Sequence, residues 1–186
     1  MTPIPYIRGV LDGDGCVNWS PKYPRKNPKL ELKVVNKAFA LEFFRALKNL
    51  GLTPRFYERD VLLKGSSSNL PRFKRYGDRM IHLFRVRAVC KPNMVEKIKE
   101  TNLSTEQDKI AYLRGLYQSE GHYQEKPNRY LSISNKNIGF LKKVKQIIES
   151  LGIYVTNIYT HSTCSNLVIY RKEEIKKFLS LIGGYE

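Results

Sequence analysis

Acidic residues are scarce in this chain: 17 Asp and Glu stand against 33 Lys and Arg, giving a formal charge of +16 and a pI near 9.8. That deficit argues against a cationic partner and favours a polyanion, nucleic acid first. No long basic amphipathic helix stands apart from the core pattern, so a membrane surface is the weaker candidate. Cysteine is scarcer still. Cys16, Cys90 and Cys164 are odd in number, widely spaced and form no CxxC pair. This argues against a zinc site or a disulfide framework and predicts free thiols in a reducing cytosol. No apolar run nears the ~18–20 residues of a membrane span. The start, MTPIPYIRG, has no basic segment followed by an apolar one, so no secretory signal is expected. A Gly-rich phosphate loop and a GxSxG elbow are both missing, which leaves nucleotide hydrolysis and serine-type chemistry without support. His82, His122 and His161 share no metal-binding spacing. What the chain does have is 41% hydrophobic residues over 186 positions, enough for one sizeable core or two small ones.

It also has an internal repeat. Residues 7–15 read IRGVLDGDG and residues 113–121 read LRGLYQSEG. VVNKAFALEFFRALKNLGL at 34–52 is echoed by SISNKNIGFLKKVKQIIESLGI at 132–153. Each contains Asn-Lys, an amphipathic helical stretch and a Leu-Gly stop, with Gly51 and Gly152 as left-handed caps. Strand candidates flank these helices: CVNWS (16–20), LELKVVN (30–36), RFYER (55–59) and MIHLFRVRAV (80–89) in one half. HYQE (122–125), RYLSISN (129–135), NIYTH (157–161) and NLVIY (166–170) are their counterparts. Helices are predicted over 92–100 and 171–182. The order is helix, two strands, helix, two strands, helix, twice over: an α+β chain of tandem αββαββα repeats. The acidic motifs lie 106 residues apart and the Asn-Lys pairs 99, so the first copy carries a longer hairpin loop, 20–29. A second basic insertion covers 66–79. The half-domains are expected at 1–100 and 110–186, with 101–109 as linker. Ser104 and Gln107 are expected to form a capping box for the next helix.

Strand alternation sorts the side chains. Leu30, Leu32 and Val34 oppose Glu31 and Lys33; Phe84, Val86 and Ala88 oppose Arg85 and Arg87. Phe56 opposes Arg55, Tyr57 and Arg59, and Leu131 and Ile133 oppose Tyr130, Ser132 and Ser134. Asn157, Tyr159 and His161 join that outward set, as do Tyr123, Arg129, Asn18 and Lys29; Ser20, Lys22, Arg25, Arg72 and Lys74 lie in the basic insertions. An ordinary solvated face would hold more Glu and Thr. This one suits a nucleic-acid groove, where Arg reads guanine edges and Asn reads adenine. Trp19 is expected to pack rather than stack on bases.

The repeated motif has its own physics. Gly9 and Gly13 are four apart, as are Gly115 and Ser119. Small residues at that spacing share a helix face and let two backbones approach closely. Asp14 and Glu120 then fall at matching helix C-termini. There the helix dipole disfavours them and they repel each other. Divalent cations would offset that cost, and such sites hydrolyse phosphodiesters. Gly15 and Gly121 are expected to let the chain turn from helix into strand.

The two motifs resemble those of the LAGLIDADG homing endonucleases, in particular the monomeric two-repeat members encoded in introns or inteins of archaea and organelles. The resemblance spans nearly the whole chain. It implies two antiparallel, saddle-shaped sheets joined by a two-helix interface of Gly9, Gly13, Gly115 and Ser119. It implies metal binding by Asp14 and Glu120 with Gly13 and Ser119 beside them. Asn36, Lys37, Asn135 and Lys136 become candidates for organising the attacking water or the transition-state charge. The implied activity is Mg²⁺-dependent double-strand cleavage of a long, specific DNA target, leaving short 3′ overhangs. Two or three divalent ions are implied, with Mn²⁺ substituting and Ca²⁺ binding without cleavage. The implied protein is a monomer of the archaeal or prokaryotic cytosol or of an organelle. Two alternatives share the architecture: a maturase binding intron RNA, and a non-catalytic DNA-binding protein. Arg8 and Arg114 depart from the family's small second residue, and Tyr117-Gln118 departs from the first copy's Leu11-Asp12.

Overall fold

The computed structural model describes residues 2–19, 27–63, 79–161 and 163–183. The αββαββα order occurs twice. The first copy comprises α1 (Pro3–Asp12), β1 (Cys16–Asn18), β2 (Lys29–Val34), α2 (Lys37–Asn49), β3 (Arg55–Leu63), β4 (Arg79–Val89) and α3 (Pro92–Lys99). The second comprises α4 (Glu106–Glu120), β5 (Gly121–Gln124), β6 (Tyr130–Asn135), α5 (Ile138–Ser150), β7 (Asn157–Thr160), β8 (Ser165–Ile169) and α6 (Lys172–Ile182). Each copy folds its strands into an antiparallel sheet, in the orders β1-β2-β4-β3 and β5-β6-β8-β7.

Local chemistry sets the helix bounds. Asn36 caps α2, its Oδ1 accepting from the Phe39 N–H at 3.0 Å. Asn137 caps α5 in the same way through Phe140 N–H at 3.1 Å. Gly51 (φ 81°) and Gly152 (φ 72°) end these helices left-handed, and the Leu52 and Ile153 N–H groups reach back to the Leu47 and Ile148 carbonyls. Proline opens α1 and α3, where no N–H is needed. The α4 cap differs from expectation. Thr105, not Ser104, accepts from the Asp108 N–H at 3.1 Å and donates to Asp108 Oδ2 at 2.7 Å. Asp108 replaces Gln107 as partner because a carboxylate accepts the hydroxyl proton and also suits the helix's positive end. The helix therefore begins inside the 101–109 segment.

The chain divides into two compact units: 2–15 with 91–183, and 16–90. In the 16–90 unit, Leu30, Leu32, Val86 and Ala88 of the sheet bury against Phe39, Ala40, Phe43 and Leu47 of α2. In the other, Leu131, Ile133, Leu167 and Ile169 bury against α5 and α6, with Val144, Ile148, Ile175 and Phe178 at the centre. In the central strands Leu30, Leu32, Leu131 and Ile133 are buried as expected, but Glu31 and Ser132, expected outward, are buried as well, and Val34 is half-buried.

Four further expectations change. β1 stops at Asn18, and Trp19 is 52% exposed rather than packed, since it lies past the last ladder pair. β3 runs on to Leu63 because its ladder with β4 continues beyond residue 59. The Asn-Lys pairs are not equivalent: the helix caps align Asn36 with Asn137, so Lys37 corresponds to Ile138 and Lys136 to Val35. The three cysteines are free, with Cys16 exposed and Cys90 buried.

Candidate functional site

The site starts from the packing of α1 on α4, both in the unit formed by 2–15 and 91–183. A β-carbon on Gly9 would collide with the Tyr112 carbonyl and lie 2.8 Å from the Leu116 nitrogen. One on Gly115 would collide with the Tyr6 carbonyl and lie 2.9 Å from the Val10 nitrogen. One on Gly13 would strike Ser119 Cβ. The small residues thus admit backbone-to-backbone contact.

Polar pairs seal the seam reciprocally. Tyr6 donates to Gln118 Oε1 at 2.6 Å, and Tyr112 donates to Asp12 Oδ2 at 3.0 Å. Gln118 therefore stands in for the acid of the first copy as the acceptor of a tyrosine. Arg8 donates to the Thr101 carbonyl at 2.6 Å just past α3, and Arg114 to the Ile182 carbonyl at 2.7 Å at the end of α6. A cation at a helix C-terminus is favourably placed. The two arginines that depart from the family pattern hold the last helix of each repeat.

This packing delivers the acids. Glu120 is the last residue of α4, and Asp14 follows α1 by two residues. A β-carbon on Gly13 would come within 3.1 Å of Glu120 Cγ, so that carboxylate arm lies over the Gly13 backbone. Burial raises the pKa of both carboxyls, and the charge of Asp14 raises that of Glu120 further. Among the described residues neither has an ion-pair partner. No third His, Cys, Asp or Glu joins them among those residues. Two oxygen donors, mutually repelling and lacking a protein cation, fit a hard divalent ion. Gly15 and Gly121 serve by leaving space: a β-carbon on Gly121 would enter the Tyr117 ring, and one on Gly15 would sit 2.9 Å from the Val10 carbonyl. Neither has a positive φ.

The Asn and Lys candidates are differently employed. Asn36 is occupied as the α2 cap. Lys37 Nζ pairs with Glu58 at 2.9 Å and lies 5.6 Å from the Phe84 ring centroid. Glu58 also faces His82, whose Nδ1 bonds Asp60 at 2.7 Å. Asn135 Oδ1 accepts from the Asn137 N–H at 2.9 Å. Lys136 is exposed in the turn that follows β6.

The outward sheet faces differ in chemistry. In the 16–90 unit, Asn18, Lys29, Lys33, Arg55, Tyr57, Arg59, Arg85 and Arg87 share one face by register. A depression of about 590 Å³ is lined by Lys29, Arg55, Tyr57, Arg87 and Val89. Glu31 shares that face but is 2% exposed beneath Lys33 and Arg85, so it is a buried counter-ion rather than an open contact. In the other unit Tyr130, Ser132, Ser134, Tyr159 and His161 line a depression of about 460 Å³. Asn157 shares their face through its pairing with Val168. Tyr123 does not: it pairs with Leu131 on the helix side, and the outward place belongs to His122, opposite Ser132. Arg129 precedes β6 and pairs with Glu125 at 3.5 Å. Asn166, Val168 and Tyr170 also line the depression. Sequence reasoning missed them, although the alternation in NLVIY carried the signal. Ser20, Lys22, Arg25, Arg72 and Lys74 lie outside the described residues.

Among the described residues no helix is long and apolar enough to cross a membrane. The family model described as the LAGLIDADG-like domain matches residues 3–87 and 107–183. An uncharacterized protein of Methanocaldococcus jannaschii is 30% identical over 158 residues, covering 81% of this chain and 54% of that protein. The chain thus spans about half the length of this curated relative. Full-length DUF199/WhiA from Thermatoga maritima has a TM-score of 0.70 at 14% identity, covering 100% of this chain and 56% of that one. The homing endonuclease I-DmoI in complex with DNA and Mn has a TM-score of 0.62 at 19% identity, covering 100% and 98%. I-DmoI structures with DNA and Ca, and with target DNA in the presence of Mg, also match. At these identities the likeness is one of fold.

Proposed function

The chain belongs to the family of LAGLIDADG-like domains, and from that premise we propose that it is a site-specific DNA endonuclease using Mg²⁺ at Asp14 and Glu120. The observation that carries this reading is the pair of carboxylates with raised pKa and no cationic partner among the described residues, at matching ends of two packed helices. A divalent ion held there would supply Lewis acidity toward a phosphodiester and a bound water of lowered pKa. Asp14 and Glu120 would hold it, and the Gly13 and Ser119 carbonyls are the main-chain oxygens next in sequence. Lys136, in the unit that carries both acids, is the cation we assign to the developing negative charge, whereas Lys37 is paired with Glu58. The outward residues of both sheets bind the duplex. Both motif helices lie in one chain, which supports a monomer.

The test is cleavage of a DNA library by the purified protein with Mg²⁺, with EDTA as control and the ends sequenced. Discrete, metal-dependent ends with short 3′ overhangs are expected. Asp14→Asn or Glu120→Gln should cripple cutting while binding persists; full cleavage by either variant would overturn the metal assignment. A second reading, DNA binding without cutting, draws on the non-equivalence of Lys37 and Lys136, which leaves the two halves without matching basic groups. Tight duplex binding with no metal-dependent ends would select it. Preference for a structured RNA over duplex would instead point to a maturase.

A further inference from the structure

The two outward sheet faces occupy equivalent register positions with opposite chemistry. Glu31 faces Arg87 across β2 and β4, and Lys33 faces Arg85. In the other sheet the corresponding pairs are Ser132 with Val168 and Ser134 with Asn166. A carboxylate with three cations is thus replaced by two hydroxyls, an amide and a valine.

In the 16–90 unit Glu31 holds Arg85 and Lys33 directly, and Arg87 lies alongside. Glu31 receives Arg85 Nη2, Lys33 Nζ at 2.9 Å and, more distantly, Arg87 Nε at 4.0 Å. Burial raises the pKa of Glu31, but its bonds to Arg85 and Lys33 win and hold the carboxyl below the ordinary range. Arg85 and Arg87 keep 30% and 31% of their side chains exposed. Arg87 turns its Nε edge to Glu31, so its Nη pair has no partner among the described residues. A planar fork with a buried carboxylate toward one edge and the other edge open matches guanine O6 and N7. Among its described residues the other sheet has no such fork. Asn166 Oδ1 accepts from Ser134 at 2.6 Å, leaving its NH₂ as the donor it presents. Val168 floors the depression beside Tyr159 and Tyr170, an apolar seat suited to a thymine methyl group.

We propose that the two sheets read different base composition: the 16–90 sheet takes a guanine-bearing half of the target through Arg87, positioned by buried Glu31, and the other sheet takes an A·T-rich half. The proposal rests on the DNA-binding reading above. It makes Glu31 a positioning residue for specificity, with no base contact of its own.

The test is selection of bound duplexes from a randomised pool by the full chain in EDTA, with sequencing. Recovered sites should carry guanine in one half and A·T in the other. Arg87→Lys keeps the charge and loses the fork. It should reduce guanine preference at one or two positions by about tenfold while leaving the salt slope of binding unchanged. Glu31→Gln should flatten the same positions without weakening binding to an unrelated duplex, an outcome that general unfolding would not produce. Equal base composition in both halves, or an unchanged guanine preference in Arg87→Lys, would overturn the proposal while duplex binding stands. Absence of any duplex binding would overturn the DNA reading itself.

Discussion

At Asp14 and Glu120 the folded chain keeps two carboxyls that burial pushes toward protonation, Glu120 also by the charge of Asp14. The sign of the linkage follows. A carboxyl with a raised folded pKa favours the folded state where it is protonated, and that advantage is lost as pH rises through the folded value. At neutral pH both groups are therefore a liability in the absence of a cation. Glu120→Gln should raise Tm at pH 7 in EDTA by about 1–3 °C, and the difference should vanish near pH 3, below the ordinary carboxylate pKa. Mg²⁺ should raise the Tm of the native chain and not that of the Asp14→Asn, Glu120→Gln double variant. Thermal melts across pH and metal concentration check both points. Equal Mg²⁺ stabilisation of the double variant would remove these residues from the metal site.

Among the secondary-structure elements, the α1–α4 seam is where single substitutions should cost most. A methyl on Gly9 or Gly115 meets a carbonyl of the opposing helix, and main chain cannot swing aside as a side chain does. Gly115→Ala should destabilise by about 3 kcal/mol, measured by urea denaturation, whereas Gly139→Ala, with only a side-chain oxygen 3.2 Å away, should change little. The seam was legible in sequence as two small-residue pairs at helical spacing. So were the acids, because a repeat places equivalent residues twice. The tyrosine exchange, Tyr6 to Gln118 and Tyr112 to Asp12, was not legible, since it joins residues about a hundred positions apart. The Asn-Lys match misled for a physical reason. Asn135 and Asn137, separated by one residue, offer the same capping side chain, and only the hydrogen bond to Phe140 shows that Asn137, not Asn135, is the cap. Tyr123 misled because β5 begins at Gly121, and its face is set by pairing with Leu131 rather than by its own composition.

Across the whole molecule, a formal charge of +16 supplies strong attraction to DNA but says nothing about where it acts. On the DNA-binding reading proposed above, the sheets divide that work unequally. Lys33, Arg55 and Arg59 stand exposed on the 16–90 sheet. The other sheet presents Tyr130, Tyr159 and Tyr170 with ring centroids 6.3–6.4 Å apart along the row, Tyr170 between the other two. Phosphate neutralisation releases counterions, and each contact adds about −0.9 to the slope of log K against log salt. Aromatic stacking and neutral hydrogen bonds add none. Arg55→Ala and Arg59→Ala should therefore each reduce the slope by about 1 and weaken binding to all duplexes alike. Tyr159→Ala should leave the slope untouched and weaken binding in a sequence-dependent way. Fluorescence anisotropy over a salt series separates the two behaviours. A slope that falls equally in both kinds of variant would mean that charge alone, spread over the surface, carries the interaction, and that the chemical difference between the two sheets has no part in recognition.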